Sequence, residues 1–265
     1  MIDRLVAACE SHLAAVGIAA PLMVVRGDGA LISAAMVRER PIETILSGPA
    51  ASIVGARWLS GESDALVSDI GGTTTDVALL KGGLPEIDPE GARVGGFRTM
   101  VEAVAMRTTG LGGDSEVHLV TEGLEGGLRL GPRRLIPVSL LAVDHGAMVH
   151  AALDRALSTE VSGEFDGRFV IPMVTQTGGA VAGGLSPREA ALLARITEPM
   201  PLARPITSRL EVAAMDRLVA RGLVMVAGVT PSDASHVLGG LADWDATAAE
   251  KALRLLGRRR TGRGE

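Results

Sequence analysis

Residues 65–83 read ALVSDIGGTTTDVALLKGG. The apolar run ALVSDI (65–70) predicts a buried strand, GGTTTD a tight loop, and VALLKGG (77–83) a returning strand. Strand, glycine turn, strand is a β-hairpin, whereas a dinucleotide-binding crossover needs a helix directly after its glycines. The loop itself carries chemistry. An oxyanion such as a phosphate needs converging N–H donors, and glycine lets the backbone approach it closely. Gly71 and Gly72 meet that need, and the hydroxyls of Thr73 and Thr74 suit phosphate oxygens or a Mg²⁺ shell. Asp69, at the end of its strand, is placed to hold a metal-bound water, because Mg²⁺ favours a carboxylate plus waters. Asp76 adds a second carboxylate.

Outward from the hairpin, Leu5, Val6, Cys9, Leu13 and Val16 recur at helical steps, predicting an amphipathic helix over 2–16 that stops at Gly17. PLMVV (21–25) predicts a short buried strand, stopped by Arg26-Gly27-Asp28-Gly29. The tripeptide Arg26-Gly27-Asp28 also spells an integrin-binding sequence. A helix over 33–40 breaks at Pro41. Ser47 or Gly48 then precedes Pro49, a favoured first helical residue, so a helix N-terminus there presents free N–H groups to an anion. Residues 84–100 are turn-rich, with short strands around Arg93-Val94-Gly95-Gly96-Phe97. A second glycine loop, Thr108 to Ser115, contains Gly110, Gly112, Gly113 and Asp114, and leads to a strand at 116–120 or a helix from Asp114. GGLRLGPRR continues as a hairpin, and the spacing turns helical from His145 to Ala156.

Residues 168–227 differ in character. RFVIPMV predicts a strand and SPREAALLARI a helix with Ser186 at the N-cap, Pro187 at N1 and Glu189 at N3. SRLEVAAMDRLVARG is a second helix ended by Gly222, and LVMVAGV a strand. Helix, turn, helix, strand outlines a winged helix-turn-helix, with Arg188, Arg195, Arg204, Arg209, Arg217 and Arg221 as its basic residues. Further helices follow TPSDASHVLGGL and over 246–256, before a polar tail with Arg258, Arg259, Arg260 and Arg263.

Composition narrows the function. Of 265 residues, 47% are hydrophobic and 22% charged, enough apolar material for a core. Aromatics are 2%, which argues against ring-stacking platforms for single strands or sugars. Net charge is −5, against a general affinity for nucleic acid. The 34 glycines cluster rather than repeat, and the single Cys9 cannot pair internally. No stretch reads as a secretory signal or membrane span, so a soluble, cytoplasmic protein is expected. Asp144-His145 and Asp233/His236 have spacings that suit a metal or a proton relay, as well as plain caps. No HExxH, CxxC or GxSxG is present, and no nucleophile or general base can be assigned.

ETILSGPAASIVGA (43–56), SDIGGTTTDVALL (68–80) and TTGLGGDSEV (108–117), in that order, resemble the hydantoinase A/5-oxoprolinase family. PLMVVRGDGALISA and VTPSDASHVLGGL fit it too, so the resemblance touches most of 1–157 and 228–256. It implies the fold of acetate and sugar kinases, actin and heat-shock chaperones: two ribonuclease-H-like lobes with ATP between them. It implies ATP-driven opening of cyclic amides such as hydantoins and 5-oxoproline, or a subunit role in ketone carboxylation. Carried over, Asp69, Gly71, Gly72, Thr73, Thr74 and Asp76 form the second phosphate loop. Gly110, Gly112 and Gly113 lie by the adenosine, and Ser47 and Gly48 near the cleft. Arg107 stands where the family has His, and Asp114 where it has Gly; an acid there would serve the ribose hydroxyls or spoil the nucleotide fit.

Full members carry an earlier Asp-Gly-Gly-Thr loop, and this chain has one such sequence. The expectation is therefore the second lobe of a longer enzyme, supplying half of an ATP–Mg²⁺ cleft and catalytically weak by itself. Its partners would be the missing N-terminal lobe, a hydantoinase B-type subunit, and a small cyclic-amide or ketone substrate. The expected fold is α/β: a ribonuclease-H-like, actin-type lobe over 1–167, a winged-helix-like insertion over 168–227, a return over 228–256, and a disordered tail over 257–265. A non-catalytic ATP-sensing or structural domain is the alternative, and a DNA-binding winged-helix protein a third reading.

Overall fold

The computed structural model describes residues 2–94, 97–120, 127–173 and 184–261. Gly95-Gly96, Val174 and Arg263, which figure in the expectations above, lie outside them. The fold is mixed α/β, with several sheets and eight α-helices among the described residues. Two compact units divide it, Met1–Thr109 and Gly110–Glu265. That boundary falls within the second glycine loop rather than at the expected 167/168.

The first unit opens with α1 (Ile2–Ala15), closed by Gly17 at φ +76°. Strands β1 (Met23–Val25) and β2 (Leu31–Ser33) pair antiparallel, and Ser33 caps α2 (Ala34–Glu39) by accepting from the Met36 N–H at 3.3 Å. Val6, Ile32, Ala34 and Val37 form a small core here. The β1 strand is not the buried strand expected; Met23 is exposed and the strand is half of a surface hairpin. A 3₁₀ turn (Pro41–Thr44) leads to α3 (Ser47–Ser60), in which Ser47 is the first helical residue and Pro49 the third.

Strands β3 (Ala65–Ile70) and β4 (Thr75–Lys81) form the expected hairpin, with Asp69 opposite Asp76 and Ile70 opposite Thr75. On its far side β4 pairs with β5 (Leu84–Pro85); β6 (Arg93–Val94) and β7 (Phe97–Arg98) form a separate two-stranded ribbon; and β8 (Met106–Thr109) pairs with β4. Helix α3 covers one face of this sheet: Ala50 and Ile53 pack with Ala78, Leu80, Ala65, Val67 and Met106. On the other face Leu66 is 68% and Ile70 73% exposed, so β3 is buried on one side only. A continuous apolar run has the same appearance whether one face is covered or two.

In the second unit β9 (Ser115–Val120) pairs with β10 (Gly127–Arg134), so the segment after Asp114 is a strand and not a helix. Then follow β11 (Ile136–Pro137), α4 (Val138–Ser158, kinked at His145), β12 (Phe169–Pro172), α5 (Pro187–Ala194), β13 (Met200–Pro201), α6 (Arg209–Ala220), β14 (Val224–Gly228), α7 (Pro231–Val237) and α8 (Ala246–Thr261). The sheet order is β11-β14-β12-β13, with β11 and β14 parallel. Strand alternation sends Val170, Val224 and Val226 to a core with Leu192, Met215 and Leu218 of α5 and α6. Phe169 and Ala227 face Val149, Leu153 and Leu255 of α4 and α8.

Residues 168–227 are thus no separate insertion. Their two end strands, β12 and β14, pair with each other in the middle of the sheet, and α5 and α6 cover one of its faces. The disordered tail expected from 257 is corrected as far as Thr261, because α8 continues through it. Arg258 explains the extension: its guanidinium donates to the carbonyls of Leu157 (2.8 Å) and Thr159 (2.7 Å), satisfying the end of α4.

Candidate functional site

The hairpin places its polar residues by register. On the core-facing side of β3 the order is Ala65, Val67, Asp69; on β4 it is Leu80, Ala78, Asp76. The apolar pairs lie under α3, and the two aspartates stand opposite each other where that cover ends. The bend between them, Gly71 to Thr74, is closed by the Gly71 N–H donating to the Thr74 carbonyl at 2.8 Å. A Cβ on Gly71 would sit 3.3 Å from that same oxygen, so a bare backbone fits best there. This amide is therefore committed to the bend and not available to an anion.

The two carboxylates differ. Asp76 accepts hydroxyls from Thr108 at 2.5 Å and Thr74 at 3.5 Å. Asp69 is half-buried, with no hydrogen bond or ion pair to its carboxylate among the described residues. Like charges directly opposite each other on paired strands repel. Two carboxylates at the end of an apolar face, one of them unpartnered, suit a cation. Among the described residues no three His, Cys, Asp or Glu side chains group to hold a metal.

Ser47 and Gly48 begin α3 after Leu46, whose φ of +59° is left-handed and which makes no side-chain cap. A branched residue in that region is strained, and the first amides of the helix receive no capping side chain. Leu46 also lines a cleft of about 240 Å³ with Asp88, Met106 and Thr108. Thr108, the residue that bonds Asp76, thus shares a cleft with the residue that precedes Ser47. The role of Thr108 as the hydroxyl on Asp76 was not legible in the sequence, although its register opposite Asp76 follows once β8 is paired.

Gly110, Gly112, Gly113 and Asp114 belong to the second unit. Gly112 donates its N–H to Ser115 Oγ at 3.1 Å, and a Cβ on Gly113 would meet Ser232 Oγ at 2.8 Å. Asp114 holds Arg134 at 2.8 Å and accepts from Ser232 Oγ at 3.4 Å. The acid at 114 therefore ties its loop to β10 and to the first turn of α7.

The histidine pairs take their plain reading. Buried Asp233 accepts the N–H and hydroxyl of Ser139 (2.8 and 2.7 Å), the N–H of Val138 (3.3 Å), and the N–H and hydroxyl of Thr230 (2.9 and 3.0 Å). One carboxylate caps both α4 and α7. His236 stacks on Trp244 and bonds the Ser232 carbonyl through Nδ1, while its Nε2 accepts the Trp244 N–H. Asp144 and His145 are both exposed, at the kink of α4.

Two of the six arginines of the basic helix pair are spent within it. Arg217 binds Glu189 and Arg195 binds Glu211, joining α5 to α6. The Arg26-Gly27-Asp28 tripeptide is likewise engaged: Arg26 pairs with Asp28 and reaches Glu43 at 3.5 Å, and a Cβ on Gly27 would meet the Ile45 carbonyl at 2.4 Å. Among the described residues no helix is long and apolar enough to cross a membrane.

Caprolactamase subunit alpha of Pseudomonas jessenii is 27% identical over 136 residues, 50% of this chain and 19% of that protein. Acetone carboxylase beta subunit of Xanthobacter autotrophicus is 37% identical over 94 residues, 34% of this chain and 12% of its own length. The chain thus spans a fifth or less of these curated relatives. A nucleotide-free structure of acetone carboxylase, solved for the mechanism of ATP-dependent acetone carboxylation, aligns with a TM-score of 0.43 at 27% identity, covering 50% of this chain and 18% of that one. The family model described as hydantoinase/oxoprolinase matches residues 1–137, more than half of the sequence, and the chain belongs to that family.

Proposed function

We propose that this chain is the ATP-binding portion of a hydantoinase/5-oxoprolinase-type enzyme, which couples ATP hydrolysis to opening of a cyclic amide or to ketone carboxylation. The observation that carries this reading is the unpartnered Asp69 carboxylate facing Asp76 beside the Gly71–Thr74 bend. Asp69 would hold Mg²⁺ through water, with Asp76 beside it. Gly72, Thr73 and Thr74 would border the phosphates, and the first amides of α3 at Ser47 and Gly48 would add a positive helix end directly after Leu46, which lines a cleft with Thr108. Gly110, Gly112 and Gly113 are assigned to the adenosine, in a loop that Asp114 anchors through Arg134 and Ser232.

Bound ATP supplies a phosphoryl group that turns an amide or carbonyl oxygen into a leaving group. The chain's own share is electrostatic. Threonine hydroxyls and helix-end amides are fixed beforehand, so they neutralise developing charge without reorganising. Asp76 holds Thr74 and Thr108 in place for this. The scaffold is read as a ribonuclease-H-like, actin-type lobe working in the cytoplasm. Because the relatives are far longer and are named as subunits, the rest of the cleft and a hydantoinase B-type subunit are assigned to partners.

Titration of Mg²⁺–ATP by calorimetry tests the binding. Asp69→Ala should weaken affinity about tenfold or more, the equivalent of roughly 1.4 kcal/mol. Turnover of hydantoin or 5-oxoproline after adding a complementary N-terminal lobe tests the chemistry. ATP binding without turnover in that mixture would favour an ATP-sensing domain instead.

A further inference from the structure

The second unit holds a small polar cavity, about 30 Å³, at the end of α8. Arg168, Arg259, Asp166 and Gly167 line it, with Leu135 and Val229 as its apolar wall. Arg258 and Arg259 are adjacent in the last turns of α8 and point apart, as neighbours on a helix must. Arg258 is spent on the carbonyls that end α4. Arg259 enters the cavity, donates one Nη2–H to the Asp166 carbonyl, and leaves its Nε buried with no partner.

The charge there is also unmatched. Among the described residues no carboxylate forms an ion pair with Arg259; the Asp166 carboxylate accepts the Gly163 N–H at 2.7 Å instead. The second guanidinium of the cavity, Arg168, is committed to Glu116 at 2.6 Å. Burial, and then the like charge of Arg168, pull the Arg259 guanidinium below its ordinary value, and the Asp166 charge only partly opposes this. A buried donor without an acceptor is costly, and more so on a charged group. Water would satisfy Nε but would leave the Arg259 charge without a counter-ion.

We propose that this cavity binds a small monovalent inorganic anion of chloride size, accepting from Arg259 Nε–H and lying between the Arg168 and Arg259 guanidiniums. The space corresponds to about two water-sized spheres, room for a monatomic anion. The anion would lock the end of α8 against the loop that precedes β12, so folded-state stability would depend on chloride. This site is independent of the proposed nucleotide loop.

The test uses the full chain in sodium chloride, sodium bromide and sodium gluconate at equal ionic strength. Thermal unfolding should move up saturably by about 2–4 °C in chloride and bromide but not in gluconate. The ³⁵Cl resonance should broaden on adding protein, and Arg259→Gln should abolish both effects. Should that variant fold poorly, bromide-soaked crystals of the wild type should show an anomalous peak beside Arg259 Nε. Equal midpoints in all three salts, broadening that survives in Arg259→Gln, or a cavity holding only water would overturn the proposal.

Discussion

At the scale of single residues, particular acids of the two units are placed in opposite settings. In the first, Asp69 and Asp76 are brought face to face, which costs stability unless a cation intervenes. In the second, buried acids are saturated with donors. Glu189 is held down to about 2 by the Ser186 N–H and then by Arg217, and Glu211 down to about 2 by the Thr207 N–H and then by Arg195. A carboxylate whose folded pKa lies below its unfolded one stabilises fully above the unfolded value, near 4.5, and loses that contribution as pH falls toward 2. The urea midpoint should therefore decline across that window. The double variant Glu189→Gln/Glu211→Gln should start lower at neutral pH and show a flatter decline.

Asp233 is the clearest residue-scale case of structure correcting spacing. Its neighbour His236 invited a metal, yet the carboxylate is fully engaged with two helix starts, at Val138, 95 positions away in sequence, and at Thr230, 3 positions away. Asp233→Ala removes both caps and strands buried donors. It should cost about 3 kcal/mol in urea unfolding, and added metal should not restore the loss.

At the scale of elements, local signals were legible and coverage was not. The 65–83 hairpin, the stop at Gly17 and the capping box of α5 follow from nearest neighbours in the chain, and each is present. The exposed face of β3 and the central position of β14 depend on what packs against them from afar, which no short window contains. Leu46 in the left-handed region gave no signal, because its side chain carries no preference for it. The turn at Gly27 shows the same limit. Its glycine looked like part of a recognition tripeptide, but it accommodates the Ile45 carbonyl and donates to the Glu43 carbonyl at 3.1 Å. Gly27→Ala should destabilise the first unit by about 2 kcal/mol or more, read from the loss of protection of amides in β1 and β2 by hydrogen exchange.

At the scale of the whole molecule, membership of the hydantoinase/oxoprolinase family rests on 1–137, the first unit and the opening of the second. The family resemblance in the sequence came from three glycine-bearing segments; Leu46 of the first and Thr108 of the third line one cleft of the first unit, and Thr108 bonds Asp76 of the second. The central claim is that the bend after Asp69 takes the phosphates of Mg²⁺–ATP. The most direct measurement is an amide NMR titration of the full chain with ATP, with and without Mg²⁺. The Gly72, Thr73 and Thr74 resonances should shift saturably with Mg²⁺ present, and stay still with EDTA or in Asp69→Ala. Unmoved resonances at saturating Mg²⁺–ATP, or the same shifts in Asp69→Ala as in the wild type, would contradict it.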